Sequence, residues 1–358
     1  MSKDDRASRR VTLSKRRAKL PATEQALLEK LLQGESNIED EMGAQRSEQS
    51  PAPPFFAQLP DLPSQHADPV EHLAPVLRHK AVSSSSLVPM QTGNSDKRPL
   101  FFVHPVSGDV SCYADLARRL GPDQPFYGLR SQGLDGEQPP QTQVETMASH
   151  YVELLRTVQA EGPYLLGGWS MGGVVAFEMA QQLRVREQTV ALLALIDTHR
   201  PKGDLDPEPD WVNMLTAFAL DLGLPLRRIK LDWVHLEQLA PNEQLNSILE
   251  QAKQADLLPA DTDPAHMPLL FQVFRSNAYA SRSYVPVAYP GPLTLFKASE
   301  QFGEFDEDLG WGELAAEGFM VESVPGNHYT IVREPNVEFL AEKLNHCLHT
   351  AEGDNKET

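Results

Sequence analysis

A short apolar strand that runs directly into a helix through a glycine-flanked turn is the strongest constraint in this sequence. Residues 163–184 read PYLLGGWSMGGVVAFEMAQQLR, and the turn is Gly168-Trp169-Ser170-Met171-Gly172. Strand and helix backbones pass close together at such a turn, so the residues at both flanking positions must be small. A strand that leads at once into a helix is typical of a parallel sheet covered by helices.

The alternation of strands and helices continues from residue 87 to about residue 350, and it predicts one α/β domain over 87–350. Apolar residues recur at helical spacing between Val144 and Val158, which predicts an amphipathic helix. The runs that predict strands are Leu100–Val103, Phe126–Leu129, Tyr164–Leu166, Thr189–Ile196, Leu293–Phe296 and Phe319–Val324. We therefore expect a mostly parallel central sheet with helices on both faces.

One interval breaks the alternation. Residues 201–288 show helical patterns, for example over Trp211–Phe218 and Leu245–Leu249, and no obvious strand. We predict an inserted helical subdomain above the sheet.

Ser170 is the candidate nucleophile, because a serine on such a strained turn presents its hydroxyl above the sheet at the N-terminus of the next helix. Two other uses of a glycine turn fit less well. A phosphate-binding loop needs a lysine after the glycines, and a dinucleotide fingerprint needs a G-x-G-x-x-G frame. Neither pattern is present at this turn.

A nucleophilic serine needs a base, and the base needs an orienting carboxylate, in the order serine, acid, histidine along this type of chain. His328 follows the last predicted strand in VPGNHY, whereas His346 and His349 fall on the final helix and are expected at the surface. Asp197 ends the apolar strand Thr189–Ile196, at the sheet edge where such sites gather. The rival acids are on the loop expected after Leu293–Phe296: Glu300, Asp306 and Asp308.

The loop after the strand Leu100–Val103 is expected to complete an oxyanion hole. A backbone N–H of Val106 or Ser107 would pair with that of Met171, and His104 is expected to brace the loop rather than to react.

The N-terminal part of the chain differs from the predicted α/β domain. Residues 1–20 hold eight basic and two acidic residues, a local charge of +6 within a chain of −18. Residues 1–34 are a basic segment with a short predicted helix, which either docks on a surface or is a solvated tail. Residues 35–86 are rich in Pro and Ser and predict a loosely ordered linker.

Composition excludes several classes of protein. The acidic body disfavours nucleic-acid binding, which requires a surplus of Lys and Arg. Cys112 and Cys347 make neither a disulfide framework nor a zinc site. The longest apolar run, Val190–Ile196, is far shorter than the ~20 residues that span a membrane, and the basic N-terminus lacks the apolar core of a signal peptide. We expect a cytoplasmic protein.

These motifs resemble the thioesterase domains that end nonribosomal peptide synthetases and polyketide synthases, members of the α/β-hydrolase superfamily. The resemblance covers roughly residues 87–348 and rests on FFVHPVSG (101–108), YGL (127–129), GWSMGG (168–173), LID (195–197), YPGP (289–292) and PGNHY (325–329). Ser107 and Asn327 depart from the residues common in that family, glycine and aspartate. Neither departure removes a required group.

The resemblance implies a triad of Ser170, Asp197 and His328, which favours Asp197 over its rivals, and oxyanion donors at Val106 and Met171. It also implies that the inserted subdomain 201–288 is a lid; substrate-contacting residues are expected within it, but the sequence does not single them out. It implies release, in secondary-metabolite or antibiotic biosynthesis, of a chain held on the phosphopantetheine of a carrier protein, with no metal or other cofactor. The sequence shows no carrier signature, so we expect the carrier or an upstream synthase to act in trans, through residues 1–34. Two alternatives are a lipase or esterase with the same triad and a non-catalytic docking adaptor. The acyl chain, hydrolysis against cyclisation, termination against editing, and the oligomeric state stay open.

Overall fold

A computed structural model of the chain describes residues 85–203, 211–222, 224, 236, 238–239, 241–255, 257–258, 266–301, 303, 305–315 and 318–353. The predictions for the basic segment 1–34 and for nearly all of the linker 35–86 lie outside these residues.

Seven strands form one sheet whose order is β1-β3-β2-β4-β5-β6-β7. Every neighbouring pair is parallel except the antiparallel pair of β1 and β3. The strands are β1 Leu87–Gln91, β2 Leu100–Val103, β3 Phe126–Leu129, β4 Tyr164–Trp169, β5 Val190–Ile196, β6 Leu293–Glu300 and β7 Phe319–Asn327. The predicted fold class, a mostly parallel α/β sheet with an inserted helical segment, is confirmed.

The sheet differs from the sequence-based expectation in five places. Strand β4 continues three residues beyond the predicted Leu166, to Trp169, and β5 begins one residue later than predicted, at Val190. Strand β1 was not predicted, because it is a partly buried edge strand that contains Pro89 and lacks a continuous apolar run. Strand β6 continues to Glu300, which therefore ends a strand instead of lying on the following loop. Strand β7 continues to Asn327, so His328 follows the strand directly.

Helices cover both faces of the sheet. Strand β2 shows why: Phe101 and Val103 point to one face, while Leu100 and Phe102 point to the other, and all four are fully buried. The first face packs against α2 (Val144–Val158) and α3 (Met171–Val185), and the second against α1 (Ala114–Arg119) and α7 (Asn336–Gly353). Fully burying such side chains contributes about 1.5–3 kcal/mol each, so the β2 position is strongly specified.

The segment between β5 and β6, which we call the lid segment (201–288), is helical where the structure describes it. It contains α4 (Trp211–Asp221), α5 (Pro241–Gln254) and α6 (Met267–Ser283). These helices share a hydrophobic cluster of their own, in which the Phe218 ring contacts the rings of Phe271 and Phe274. The lid segment is thus a second apolar layer, placed by the chain path immediately after Asp197.

Candidate active site

Ser170 occupies the turn between β4 and α3 in a backbone conformation that L-residues rarely adopt, with φ 57° and ψ −125°. Its N–H donates to the Ile196 carbonyl oxygen at 2.9 Å. Strain of this kind costs on the order of 1–3 kcal/mol and persists only where the surroundings enforce it. The enforcing contacts come from the flanking β5 strand and from the helix that begins at Met171.

Two glycines make this turn sterically possible. A Cβ on Gly168 would lie 2.3 Å from the Gly172 carbonyl carbon, and a Cβ on Gly172 would lie 2.3 Å from the Val103 carbonyl oxygen. Real Cβ atoms do not approach backbone so closely. The turn therefore requires glycine on both sides of the serine, as the sequence motif predicts.

His328 lies between Ser170 and Asp197. Its Nε2 is 3.1 Å from the Ser170 Oγ, and its Nδ1 is 2.8 Å from Asp197 Oδ2. An ionised carboxylate only accepts hydrogen bonds, so Nδ1 carries the imidazole proton and Nε2 accepts from the serine hydroxyl. Residues separated by up to 158 positions in sequence thus form one continuous hydrogen-bonded path.

The Asp197 carboxylate is only 1% exposed, and its remaining oxygen is fully engaged. Oδ1 accepts from the backbone N–H of Ala298 and from the side-chain amide of Gln301, both at 2.9 Å. Burial raises the pKa of Asp197, but the hydrogen bonds from His328, Ala298 and Gln301 outweigh it, so the pKa lies below its ordinary value. Asp197 therefore remains ionised at neutral pH.

The three rival acids lie in other environments. Glu300 and Asp306 are exposed, and the Asp308 carboxylate accepts from the backbone N–H groups of Gly310 and Gly312. Asp308 thus closes a turn in its own loop. Among these candidates, the structure brings Asp197 to His328.

Sequence reasoning missed Gln301. It follows β6 directly, and its amide joins Asp197 Oδ1 to the Ala298 carbonyl oxygen, 2.8 Å away. A polar residue in the run that begins at Glu300 gives no periodic signal, so only the packing of β6 beside β5 reveals this contact.

The predicted oxyanion donors lie on the two elements next to Ser170. Met171 is the first residue of α3, whose first N–H groups have no partner within the helix. Val106 lies in the loop after β2, and His104 braces that loop: its Nδ1 is 2.6 Å from the Pro105 carbonyl oxygen and its Nε2 is 2.9 Å from the Tyr151 hydroxyl. Burial lowers the pKa of His104 to about 4, so it is neutral at physiological pH.

His346 and His349 are exposed on α7, as the sequence predicts. Within the described ranges, no three His, Cys, Asp or Glu side chains converge in a way that would hold a metal ion. None of the helices that the structure describes is long and apolar enough to cross a membrane.

Comparison with known proteins gives a consistent result. Over 266 residues the chain is 30% identical to atromentin synthetase invA1 of Paxillus involutus, which covers 72% of this chain and 28% of that relative. A four-domain nonribosomal peptide synthetase bound to AMP and glycine is similar in structure, with a TM-score of 0.68, 30% identity, and coverage of 76% of this chain and 21% of that one.

A smaller structure matches over its full length. It is the NocB thioesterase domain in covalent complex with a fluorophosphonate nocardicin G analog, with a TM-score of 0.55, 25% identity, and coverage of 74% of this chain and 100% of that one. The chain thus spans 28% and 21% of the lengths of the two synthetases, and all of this isolated domain. A family model described as thioesterase domain matches residues 98–348. The protein therefore belongs to the thioesterase domain family.

Proposed function

We propose that the protein is a serine thioesterase that releases an acyl, peptidyl or polyketide chain from a phosphopantetheine thioester. The observation that carries this proposal is the hydrogen-bonded path from Ser170 through His328 to Asp197, in a chain of the thioesterase family. Ser170 acts as the nucleophile, His328 as the base and then the acid, and Asp197 as the group that orients His328.

In the first half-reaction, the Ser170 oxygen attacks the thioester carbonyl carbon while His328 Nε2 takes the serine proton. The N–H groups of Val106 and Met171 stabilise the tetrahedral oxyanion. The C–S bond then breaks, and the thiolate takes the proton from His328 as the acyl-Ser170 ester forms. In the second half-reaction, water or a nucleophile within the acyl chain attacks the ester carbonyl carbon while His328 takes its proton; the C–O bond to Ser170 then breaks, and His328 returns the proton to the serine oxygen. Neither half-reaction requires a metal or a redox cofactor.

The lid segment is proposed to cover the acyl chain. It joins β5 to β6, so it follows Asp197 directly in the chain, and its helices share an apolar cluster. Its described helices carry large buried side chains such as Phe218, Phe271 and Phe274. The carrier is proposed as the macromolecular substrate, since similar proteins are multidomain synthetases.

One assay separates a thioesterase from an esterase that acts on free small esters. We expect kcat/KM for an acyl-pantetheine thioester to exceed that for the oxygen ester of the same acyl chain by roughly tenfold or more, because the site is then adapted to a sulfur leaving group. Steady-state kinetics on this matched pair measures the ratio. A ratio below one would favour the lipase or esterase alternative. Turnover of neither substrate would favour a non-catalytic adaptor.

Residues 1–34 are proposed to recruit the carrier or upstream synthase in trans. Their first 20 residues carry +6, whereas the remainder of the chain carries −24. A tethered basic segment speeds encounter with an acidic partner without adding contacts at the active site.

Deletion of residues 1–34 should therefore leave hydrolysis of acyl-pantetheine unchanged. Release from the carrier-bound substrate should slow by roughly tenfold at low salt, and the deficit should shrink as salt is raised. A full-length variant with glutamine at the eight basic positions of residues 1–20 is the matched control and should show the same deficit. Equal rates for all three proteins at low salt would identify the segment as a solvated tail.

A further inference from the structure

The direction of the Val106 N–H depends on the peptide unit that it shares with the Pro105 carbonyl. This unit is planar and trans, so the N–H and the C=O point in opposite directions. The Pro105 oxygen accepts from Gly108 N at 3.0 Å and lies 2.6 Å from His104 Nδ1. Because neutral His104 must donate from Nδ1 to this oxygen, the sheet side of the loop fixes one peptide plane.

The next peptide plane is held from the lid segment. The Val106 carbonyl oxygen accepts from the Asn277 side-chain Nδ2 at 3.0 Å, and Asn277 is fully buried on α6. The two residues are 171 positions apart in sequence. The hydrogen bond therefore joins the lid segment directly to the residue proposed as an oxyanion donor.

The loop also packs tightly on the same helix. Gly108 has φ +89°, and a Cβ there would lie 2.8 Å from Val273 Cγ1 and 3.4 Å from Asn277 Nδ2. A second lid helix lies against the same loop, since Ser107 and the buried Asp221 at the end of α4 line one cavity. Two lid helices thus contact residues 106–108.

We propose that Asn277 is a positioning residue of the oxyanion hole. From α6 of the lid segment it holds the Val106–Ser107 peptide plane, and because His104 holds the preceding Pro105–Val106 plane, the backbone at Val106 is fixed on both sides and its N–H keeps the direction required by the tetrahedral intermediate. The proposal rests on the proposed thioesterase function. With His104 holding one peptide plane and Asn277 the next, the loop is preorganised before the substrate arrives. Packing of the lid segment is then coupled to stabilisation of the transition state and has little effect on ground-state binding.

The test compares full-length wild type with Asn277→Leu, which keeps the side-chain size and removes the amide. Removing an oxyanion donor costs about 10²–10³ in kcat, so misdirecting one should cost roughly 10–100-fold. KM for acyl-pantetheine should stay within about twofold, because the interaction is made in the transition state. The inhibition constant of an acyl trifluoromethyl ketone, which forms a tetrahedral adduct on the serine, should rise by the same factor as kcat falls.

Gln244 provides the matched control. It is a buried amide on lid helix α5 that donates to the Leu236 and Leu239 carbonyl oxygens at 2.8 and 3.1 Å. Gln244→Met removes a bond of the same kind without touching the loop, and it should leave kcat and the ketone affinity near wild type even if Tm falls. Equal kinetic losses in the two variants would overturn the proposal in favour of a general effect of lid stability.

Asn277→Asp keeps the proposal testable if the leucine variant fails to fold. A protonated carboxyl can donate to the Val106 oxygen and an ionised one cannot. The kcat of this variant, expressed relative to wild type at each pH, should therefore rise as pH falls. A flat ratio near one across the pH range, or a leucine variant with unchanged kcat and ketone affinity, would overturn the role of Asn277 while leaving the thioesterase proposal intact. A wild type that neither cleaves the thioester nor binds the ketone would instead refute the proposed function itself.

Discussion

Ser170→Ala should abolish turnover of acyl-pantetheine and all covalent labelling by a fluorophosphonate probe. Alanine retains the backbone of the turn but has no oxygen to attack the thioester or to accept the probe. In a serine hydrolase with a comparable triad, loss of the serine lowers kcat by about 10⁶. Intact-mass spectrometry after labelling, together with steady-state kinetics, measures both effects.

Ser283→Ala is the control for the loss of a hydroxyl elsewhere. Ser283 ends α6, and its Oγ donates to the Ala280 carbonyl oxygen within the same helix. This variant should label and turn over like wild type. If the Ser170 variant still acquired one probe adduct at a defined residue, the nucleophile assignment would be wrong.

Asp197→Asn should lower kcat by up to about 10⁴, with little change in fold. An asparagine can still accept the Ala298 N–H through its oxygen, but its amide would donate toward His328 Nδ1. The proton then moves to Nε2, which can no longer accept the serine proton, and the imidazolium formed during reaction loses its counter-charge. The kcat measured from pH 6 to 9 should stay low throughout, because a change of bulk pH does not restore the carboxylate.

The matched variants are Glu300→Gln, Asp306→Asn and Asp308→Asn. They remove the same charge near the same edge of the sheet but, in the structure, from exposed positions or from a separate turn. All three should keep kcat near wild type, although Asp308→Asn is expected to lower Tm. A near-normal rate in the Asp197 variant together with a severe loss in one of these would move the acid to that residue.

The family and the α/β fold could be predicted from sequence because their signals are local. Strands β2 and β3 match the predicted bounds, since each is a fully apolar or aromatic run that ends at a polar or turn residue. The elbow at Ser170 is recognisable from a local motif, and a Cβ on Gly168 would meet Gly172 within the same five residues; the need for Gly172 itself comes from Val103 on the neighbouring strand β2. Edge strand β1 was missed because Pro89 interrupts its short apolar run.

The pairing of distant side chains was decided only by the tertiary structure. The residues alone left four candidate acids, and the arrangement of β5 beside β6 places Asp197 between His328 and Gln301. The role of Asn277 likewise could not be predicted from its own helix, where it is the one polar residue among the buried positions. The sequence by itself determined which elements form and where the serine stands, because propensity and steric fit act over a few residues. Which groups share a hydrogen bond depends on packing across more than a hundred residues, and the folded chain alone supplies that information.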